Sequence, residues 1–373
     1  MATVRMPIKG GTLRWARELS SYEPSDLARS AGVTPERFMS FESEQEQPTY
    51  VQLARLAHKL DRPPAFFLVD PPTRSDIPTT IDYRGAGSNA VPKLTRELKR
   101  AAEHRLALLD LDPSLQTATL PAFTNDPAKA ARDLRERMGL QPQDVPPLSG
   151  AHRVLAYWIE SFESQGILIF QTTGIPLDAF RGVSIYYRTL PIIVLNGSDS
   201  AYGKVFSLLH EIGHIATRTS GLCADDESSA SELLCNKFAQ EFLMPLTTVQ
   251  QFAETQSLKP FNDAMSMHFG VSSLAAAVRL RGMNLVSEQD LDLVRAQTNE
   301  AWRQLQQQRA ERNGAPSFHV LRYRDLGHLY VGAIASALAA RELDLLDASY
   351  LLNTKVEGVH KIVELYYRDS RTK

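Results

Sequence analysis

Cysteine is scarce: the chain holds two in 373 residues. So few exclude a disulfide-framed scaffold and point to a reducing compartment. Apolar runs of about 18 residues are missing too, which excludes a helical membrane span. The opening stretch, MATVRMPIKGG, lacks the apolar centre of a secretory signal, so a cytoplasmic protein is expected. Charge of one sign is also lacking. The formal net charge is -2, so no global basic field draws the chain to nucleic acid or membrane. There is no internal repeat and no long low-complexity tract. What remains is an ordinary globular composition, 43% hydrophobic and 23% charged, in a chain long enough for two or three domains with their own cores.

Along the chain, residues 12–68 read as short helices with tight breaks. Pro24 suits a helix start, Gly32 a tight turn, and Thr34 with Pro35 a capped helix start. A proline-rich break follows. Residues 90–165 read as three helices, the first of them long. The one clear β signal is the set ILIFQTT, GVSIYYR and LPIIVLN, three short β-branched and aromatic runs that predict a small antiparallel sheet. Helices return after it and continue to the end, with one stopped by Pro245. The expected fold class is therefore α+β, mainly helical. The expected division is 1–72, a helical linker 73–125, a domain 126–290 carrying the sheet, and a helical C-terminal region 291–373.

The stretch FSLLHEIGH puts His210 and His214 four residues apart with Glu211 after the first. On a helix this spacing places both imidazoles on one face, where they can hold one zinc ion at about 2.0–2.1 Å. Glu211 then lies beside the metal, placed to take a proton from water, which is the chemistry of the H-E-x-x-H pattern. Hydrolysis needs a third protein ligand and an open position. Glu232, on the next expected helix after a long loop, supplies a candidate. Asn236, four residues further on the same face, can hydrogen-bond a ligating histidine and fix its ring. The preceding sheet offers an edge to an extended peptide. Two solvated histidines on a helix are the plain alternative. A closed structural zinc would leave Glu211 without a task. Cys223 and Cys235 read as small buried hydrophobes, with a redox or inhibitory role at the metal as the alternative.

These residues resemble the ImmA/IrrE family of zinc metallo-endopeptidases. That family shows a phenylalanine shortly before H-E-x-x-H, then E-x-x-A-N-x-F-A ending in L-M-P. Here Phe206, His210, Glu211 and His214 are followed by Glu232, Asn236, Phe238, Ala239 and Met244-Pro245, with Cys235 where the family usually has alanine. GVSIYYR…PIIVLN, ending at Asn196, is similar to the family's sheet, and FGVSSLAAAVRLRGM to its helix-turn-helix-like segment. The resemblance covers roughly residues 80–370. It implies a gluzincin-like core, with His210, His214 and Glu232 as Zn2+ ligands and Glu211 as general base. It also implies a protein substrate, a helix-turn-helix repressor whose cleavage switches gene expression. Tyr186, Tyr187 and Arg181 lie near the sheet as candidates to polarise the scissile carbonyl.

Residues 12–68 resemble an XRE-type helix-turn-helix. Such a fold presents the start of its third helix to the major groove, which makes Thr34, Arg37 and Ser40 the DNA-contact candidates, with Arg37 the natural reader. The family commonly follows this helix with E-x-G and basic residues that hold phosphates; here the stretch is FESEQEQPTY, with Glu42, Glu44 and Glu46 and no glycine. Basic and acidic side chains cancel over residues 1–72, so DNA binding is expected to be weak unless the module forms a homodimer. Its alternative use is protein contact. The rival to the peptidase is a DNA-binding regulator or antitoxin whose zinc domain binds a toxin-like partner without turnover.

Overall fold

A computed structural model of the chain describes residues 5–20, 22–60, 62–71, 92–112, 120, 126–145, 150–218, 221–223, 230–255, 264–311 and 316–371. The chain divides into two compact units, Met1–Glu103 and His104–Lys373. Much of the expected linker, 73–91, 113–119 and 121–125, lies outside the described residues.

In the first unit, α1 (Gly10–Leu19), α2 (Pro24–Ala31), α3 (Pro35–Glu42) and α4 (Tyr50–Lys59) surround an apolar core with a 3-10 turn at Pro64–Leu68. Leu13, Leu27, Phe38, Phe41, Leu53 and Phe67 are fully buried in it. The helix bounds follow local chemistry. α2 ends in a left-handed residue at Gly32. Thr34 Oγ1 accepts from the Arg37 backbone N–H at 3.3 Å and starts α3, and Thr49 with Gln52 forms a capping box for α4. Helix α5 (Pro92–Leu111) carries the chain across the boundary between the units.

The second unit places α6 (Pro127–Arg137) and α7 (Ala151–Glu163) before a sheet of β1 (Leu168–Thr172), β2 (Gly182–Ile185), β3 (Ile192–Asn196) and the short β4 (Gly221–Cys223). Helix α8 (Ala201–Ala216) lies between β3 and β4, and α9 (Ala230–Leu243) follows β4. The chain continues through α10 (Leu246–Thr255), α11 (Ala264–Phe269), α12 (Ser273–Gly282) and α13 (Glu288–Glu311). It ends with α14 (Phe318–Leu326), α15 (His328–Ala340), α16 (Leu345–Leu351) and α17 (Val356–Arg371).

The strand order is β1-β3-β2-β4, and the expectation of an antiparallel sheet is corrected here. β1 pairs with β3 in parallel, Leu168 opposite Ile192, while β2 is antiparallel to both β3 and β4. The cause is burial on both faces. Every residue of β1, β2 and β3 is buried, the pattern of strands covered by helices on two sides. Ile169, Ile193 and Leu195 face the core built from α7, α8 and α9. Phe170 points the other way, its ring 5.6 Å from His104 and 5.9 Å from Tyr330. The strands at the edges of the sheet are β1 and β4. The outer edge of β2 is already occupied by β4, with Gly182 opposite Cys223 and Ser184 opposite Gly221. No helix among the described residues is long and apolar enough to cross a membrane.

Candidate metal centre

Ser200 starts α8 by accepting from the Gly203 N–H at 2.9 Å. Almost every residue from Val205 to Ala216 is buried, which suits a helix apolar on most sides and packed in a core. His210 and His214 are polar exceptions on one face. α9 packs against α8, and Pro245 lies beyond its end. Close approach of the two helices is allowed at Gly213, where an added Cβ would stand 3.2 Å from Cys235 Sγ. Cys235 is fully buried, and burial, then the charges of Glu211 and Glu232, push its thiol far above the ordinary range. It therefore sits there as a small hydrophobe. The side chain of Cys223 lies outside the described residues.

This packing brings His210, His214 and Glu232 together, with one donor atom from each within 4.8 Å of the others. His210 Nε2 is 3.0 Å from Glu232 Oε2, and His214 Nε2 is 3.2 Å from Glu232 Oε1. The two Nε2 atoms are 3.1 Å apart. On its other side His210 meets Asn236 Oδ1 through Nδ1 at 2.8 Å. A proton donated by Nδ1 to this oxygen leaves Nε2 with its lone pair toward the cluster, the tautomer a metal ligand needs. Burial disfavours the charged form of His210. The hydrogen bond to Glu232 and the charges of Glu211 and Glu232 outweigh it and raise its pKa. Burial likewise disfavours charge on Glu232, but its bonds to both histidines hold its carboxyl well below the usual range. The three side chains thus converge as two imidazoles and an anion, a donor set suited to a divalent cation.

Glu211 differs from them. It is fully buried, and neither carboxylate oxygen has a hydrogen-bond partner among the described residues. Its carboxylate lies against β2, where a Cβ on Gly182 would stand 2.7 Å from Oε1 and 3.0 Å from Cγ. Glycine at 182 is therefore what lets the strand pass so close. Asn196, fully buried, fixes the loops around this strand. Its Nδ2 donates to Ile175 O and Phe180 O, each at 3.0 Å, and its Oδ1 accepts from Ser198 N at 3.0 Å.

A cleft of about 530 Å³ opens on the cluster, lined by His210, Glu211, Glu232 and Asn236. Of the three candidates near the sheet, Arg181 reaches it, its guanidinium 3.3 Å from the buried Asp199. Tyr187 does not line the cleft. Its ring lies 3.8 Å beneath the Arg105 guanidinium, and Arg105 also donates to the Thr189 and Leu190 carbonyls. Tyr186 packs against the core instead. Sequence reasoning missed Gly182 and Asp199, and it missed Leu274, Ala275 and Val278 of α12, which also line the cleft. The 3.6-residue spacing of 274, 275 and 278 is the one signal that marked them as a shared face.

In the first unit, the three DNA-contact candidates sit on α3 and each is engaged locally. Thr34 caps the helix, Ser40 Oγ donates to Arg37 O at 2.7 Å, and Arg37 Nε donates to Glu46 Oε2 at 3.0 Å. The acidic stretch is engaged as well. Glu42 is buried and accepts from Arg17 Nε at 2.7 Å, and Glu44 Oε1 accepts from Gly10 N at 2.8 Å.

No curated protein matches the chain. The stretch from the last turn of α7 to the last turn of α12, residues 162–281, is matched by the family model of the IrrE N-terminal-like domain, a peptidase family (M78), which supports kinship of this region with ImmA/IrrE-type metallopeptidases.

Proposed function

We propose that the second unit is a zinc-dependent endopeptidase that cuts a regulatory protein, a helix-turn-helix repressor, in the cytoplasm. The observation that carries the reading is the carboxylate of Glu211, buried beside the His210–His214–Glu232 cluster with no donor to either oxygen among the described residues. Holding a carboxylate in that condition costs several kcal/mol, of the order of 3–5. Such a group is retained where it has protons to accept.

His210, His214 and Glu232 would hold the metal, and two imidazoles with one carboxylate is a catalytic rather than a closed structural zinc set. Zinc, when bound, supplies Lewis acidity that polarises a carbonyl and makes water acidic near neutral pH. Glu211 accepts the proton of the attacking water and passes it to the leaving amine. Asn236 holds the His210 ring in its ligating tautomer. Arg181, steadied by Asp199 at the cleft, offers positive charge to the developing oxyanion.

The first unit is proposed as a helix-turn-helix module. The Arg37–Glu46 ion pair favours protein contact over DNA contact as its use, because the one natural base reader is already bonded. A homodimer would be needed for operator binding.

Metal analysis and intact-mass spectrometry test the whole. Purified protein should carry one zinc per chain, and His214→Ala should lose it. The candidate repressor, incubated with zinc-loaded protein, should be cut once. A stable complex with an uncut partner would instead support the regulator or antitoxin reading, in which the zinc domain binds a toxin-like protein without turnover.

A further inference from the structure

The last four helices hold a motif that the metal centre does not use. α15, α16 and α17 pack on one another, and α14 lies against α17. α16 ends at Leu351 and α17 begins at Val356, so four residues join a short helix to a long one. That is the turn length of a helix-turn-helix pair. Within the turn Asn353 is left-handed, with φ 45°, a conformation that asparagine tolerates better than most side chains. Ala348, Leu352, Val359 and Ile362 are fully buried, which turns one face of each helix inward. The end of α16 is fixed from outside. Arg322 Nε donates to Leu352 O at 2.8 Å, and Tyr330 OH donates to Leu351 O at 3.2 Å. Gly358 lets α14 close on the first turn of α17, since a Cβ there would stand 3.1 Å from His319 Nε2.

The outward surface of this pair is mixed. α17 exposes Val356, Glu357, His360, Lys361 and Glu364, and Lys355 precedes them in the turn. Lys355, His360 and Lys361 have no side-chain partner among the described residues, although Glu357 stands one helical turn before Lys361. In the first unit, by contrast, Arg37 is bonded to Glu46. Lys355, Glu357 and Lys361 line a recess of about 520 Å³ shared with Phe318 and His319, so both lysines stand beside open space. The 16-residue α17 adds the positive end of its dipole there. On α16 the exposed residues are Leu345, Leu346, Asp347 and Tyr350. Asp347 is engaged in a capping box with Asp344. Tyr350 is 74% exposed, and its hydroxyl is a donor suited to phosphate.

We infer that α16 and α17 form a helix-turn-helix of their own whose ligand is duplex DNA, with the start of α17 in the major groove and α16 across the backbone. This goes beyond the peptidase reading and does not depend on it. Each exposed side chain at the start of α17 has a base edge to meet. His360 and Lys361 donate to guanine O6 or N7, Glu357 accepts from cytosine N4, and Val356 packs on a thymine methyl. Lys355 and Tyr350 hold phosphates. Glu357 and Glu364 repel the backbone, so affinity for arbitrary sequence is low. Few phosphates are neutralised, and log K falls by only about 1–2 per decade of salt. Leu345 and Leu346, at the start of α16, are the part of the surface that a protein partner would use instead.

Duplexes are selected from a random pool on the full chain, and binding of a selected and an unselected duplex is followed by fluorescence anisotropy across a salt series. Lys361→Ala should weaken the selected duplex about 10-fold and the unselected one little. Lys355→Ala should weaken both and flatten the salt slope by about one. Glu357→Gln should weaken the selected duplex and tighten the unselected one, a pair of opposite changes that unfolding does not produce. All three residues are exposed, so the melting temperature should not move. Arg37→Ala, in the first unit, should leave this binding unchanged. Failure to enrich any sequence overturns the inference. So does a selected complex that survives all three changes on α17 and the turn, or one that Arg37→Ala alone abolishes. Self-association of the chain that Leu346→Ser removes, with no duplex selected, would assign the face to a protein partner and overturn it as well. None of these outcomes bears on the peptidase reading.

Discussion

At the scale of single residues, the centre depends on how Glu211 is held. Glu211→Gln keeps shape but cannot accept a proton, so zinc content should stay while cleavage falls by about 10²–10⁴-fold. Undiminished turnover would remove Glu211 from the chemistry. Gly182 carries a separate prediction. A Cβ there would stand 2.7 Å from Glu211 Oε1, so Gly182→Ala must displace the carboxylate. A displacement near 1 Å costs about 10²-fold in rate, and kcat should drop by that order with zinc retained. Protons and cation also compete at His210. Its pKa is raised from the ordinary 6.5, so without metal the paired cluster stabilises the fold below pH 6.5 and loses that contribution as pH rises through the raised value. Glu232, lowered from 4.5, contributes above 4.5 and loses its share as pH falls below it. Zinc needs the unprotonated imidazole. The rise in melting temperature on adding zinc should therefore be small at pH 5.5 and large at pH 8, and a pH-independent rise would contradict the pairing. The pairing of His210 with His214, and of Glu232 with Asn236, was legible because helical spacing sets which side chains of one helix share a face; that the second pair meets the first was expected only from the loop between the helices and from the family resemblance. Gly182 and Asp199 were not, because their roles arise where a strand and a loop meet α8. The same limit explains Tyr187, whose partner Arg105 comes from a helix far away in sequence.

At the scale of elements, the existence of each strand was readable but the pairing was not. ILIF and IIVL are uniformly apolar and GVSI is buried throughout, its Ser184 included, so the strands lack the alternation that marks a half-exposed antiparallel meander. The return strand β3 slots between β1 and β2, and only the helices covering both faces explain that choice. The same helices fix the cleft. Arg135, buried and lowered in pKa by that burial, donates to Phe242 O at 2.7 Å and to Gln141 O and Asp144 O at 2.6 Å. It clamps the end of α9 to the loop after α6. Arg279 does the same between α12 and the residues after α9. Arg279→Met removes a buried guanidinium and leaves Met244 O and Glu241 with one partner fewer. Unfolding by denaturant should show a loss of about 2–4 kcal/mol. A loss within about 0.5 kcal/mol would mean that packing alone holds α12 in place.

At the scale of the whole molecule, the sequence presented the acidic stretch after α3 as a surface that repels phosphates. In the folded unit its three glutamates have different tasks, and this separates what charge removal would do. Glu42 is buried against Arg17. The guanidinium loses by burial but gains more from this carboxylate, and its pKa is raised. Glu42→Gln breaks a buried pair and should destabilise the first unit by about 3 kcal/mol, so it reports on folding and not on binding. Glu46 is half exposed and bonded to Arg37. Glu46→Gln removes the charge that holds the guanidinium and leaves the core untouched. If the module reads DNA as a dimer, this single change should tighten binding to its preferred site and steepen the fall of log K with log salt by about one phosphate contact per protomer. Arg37→Ala should weaken that site and leave non-specific binding nearly unchanged. If the module serves protein contact, neither variant produces a specific complex. Salt-titrated binding of wild type and both variants to the gene's own upstream region decides between the two. The absence of any specific shift at low salt, with Glu46→Gln folded as stably as wild type, would leave α3 as a face for another protein.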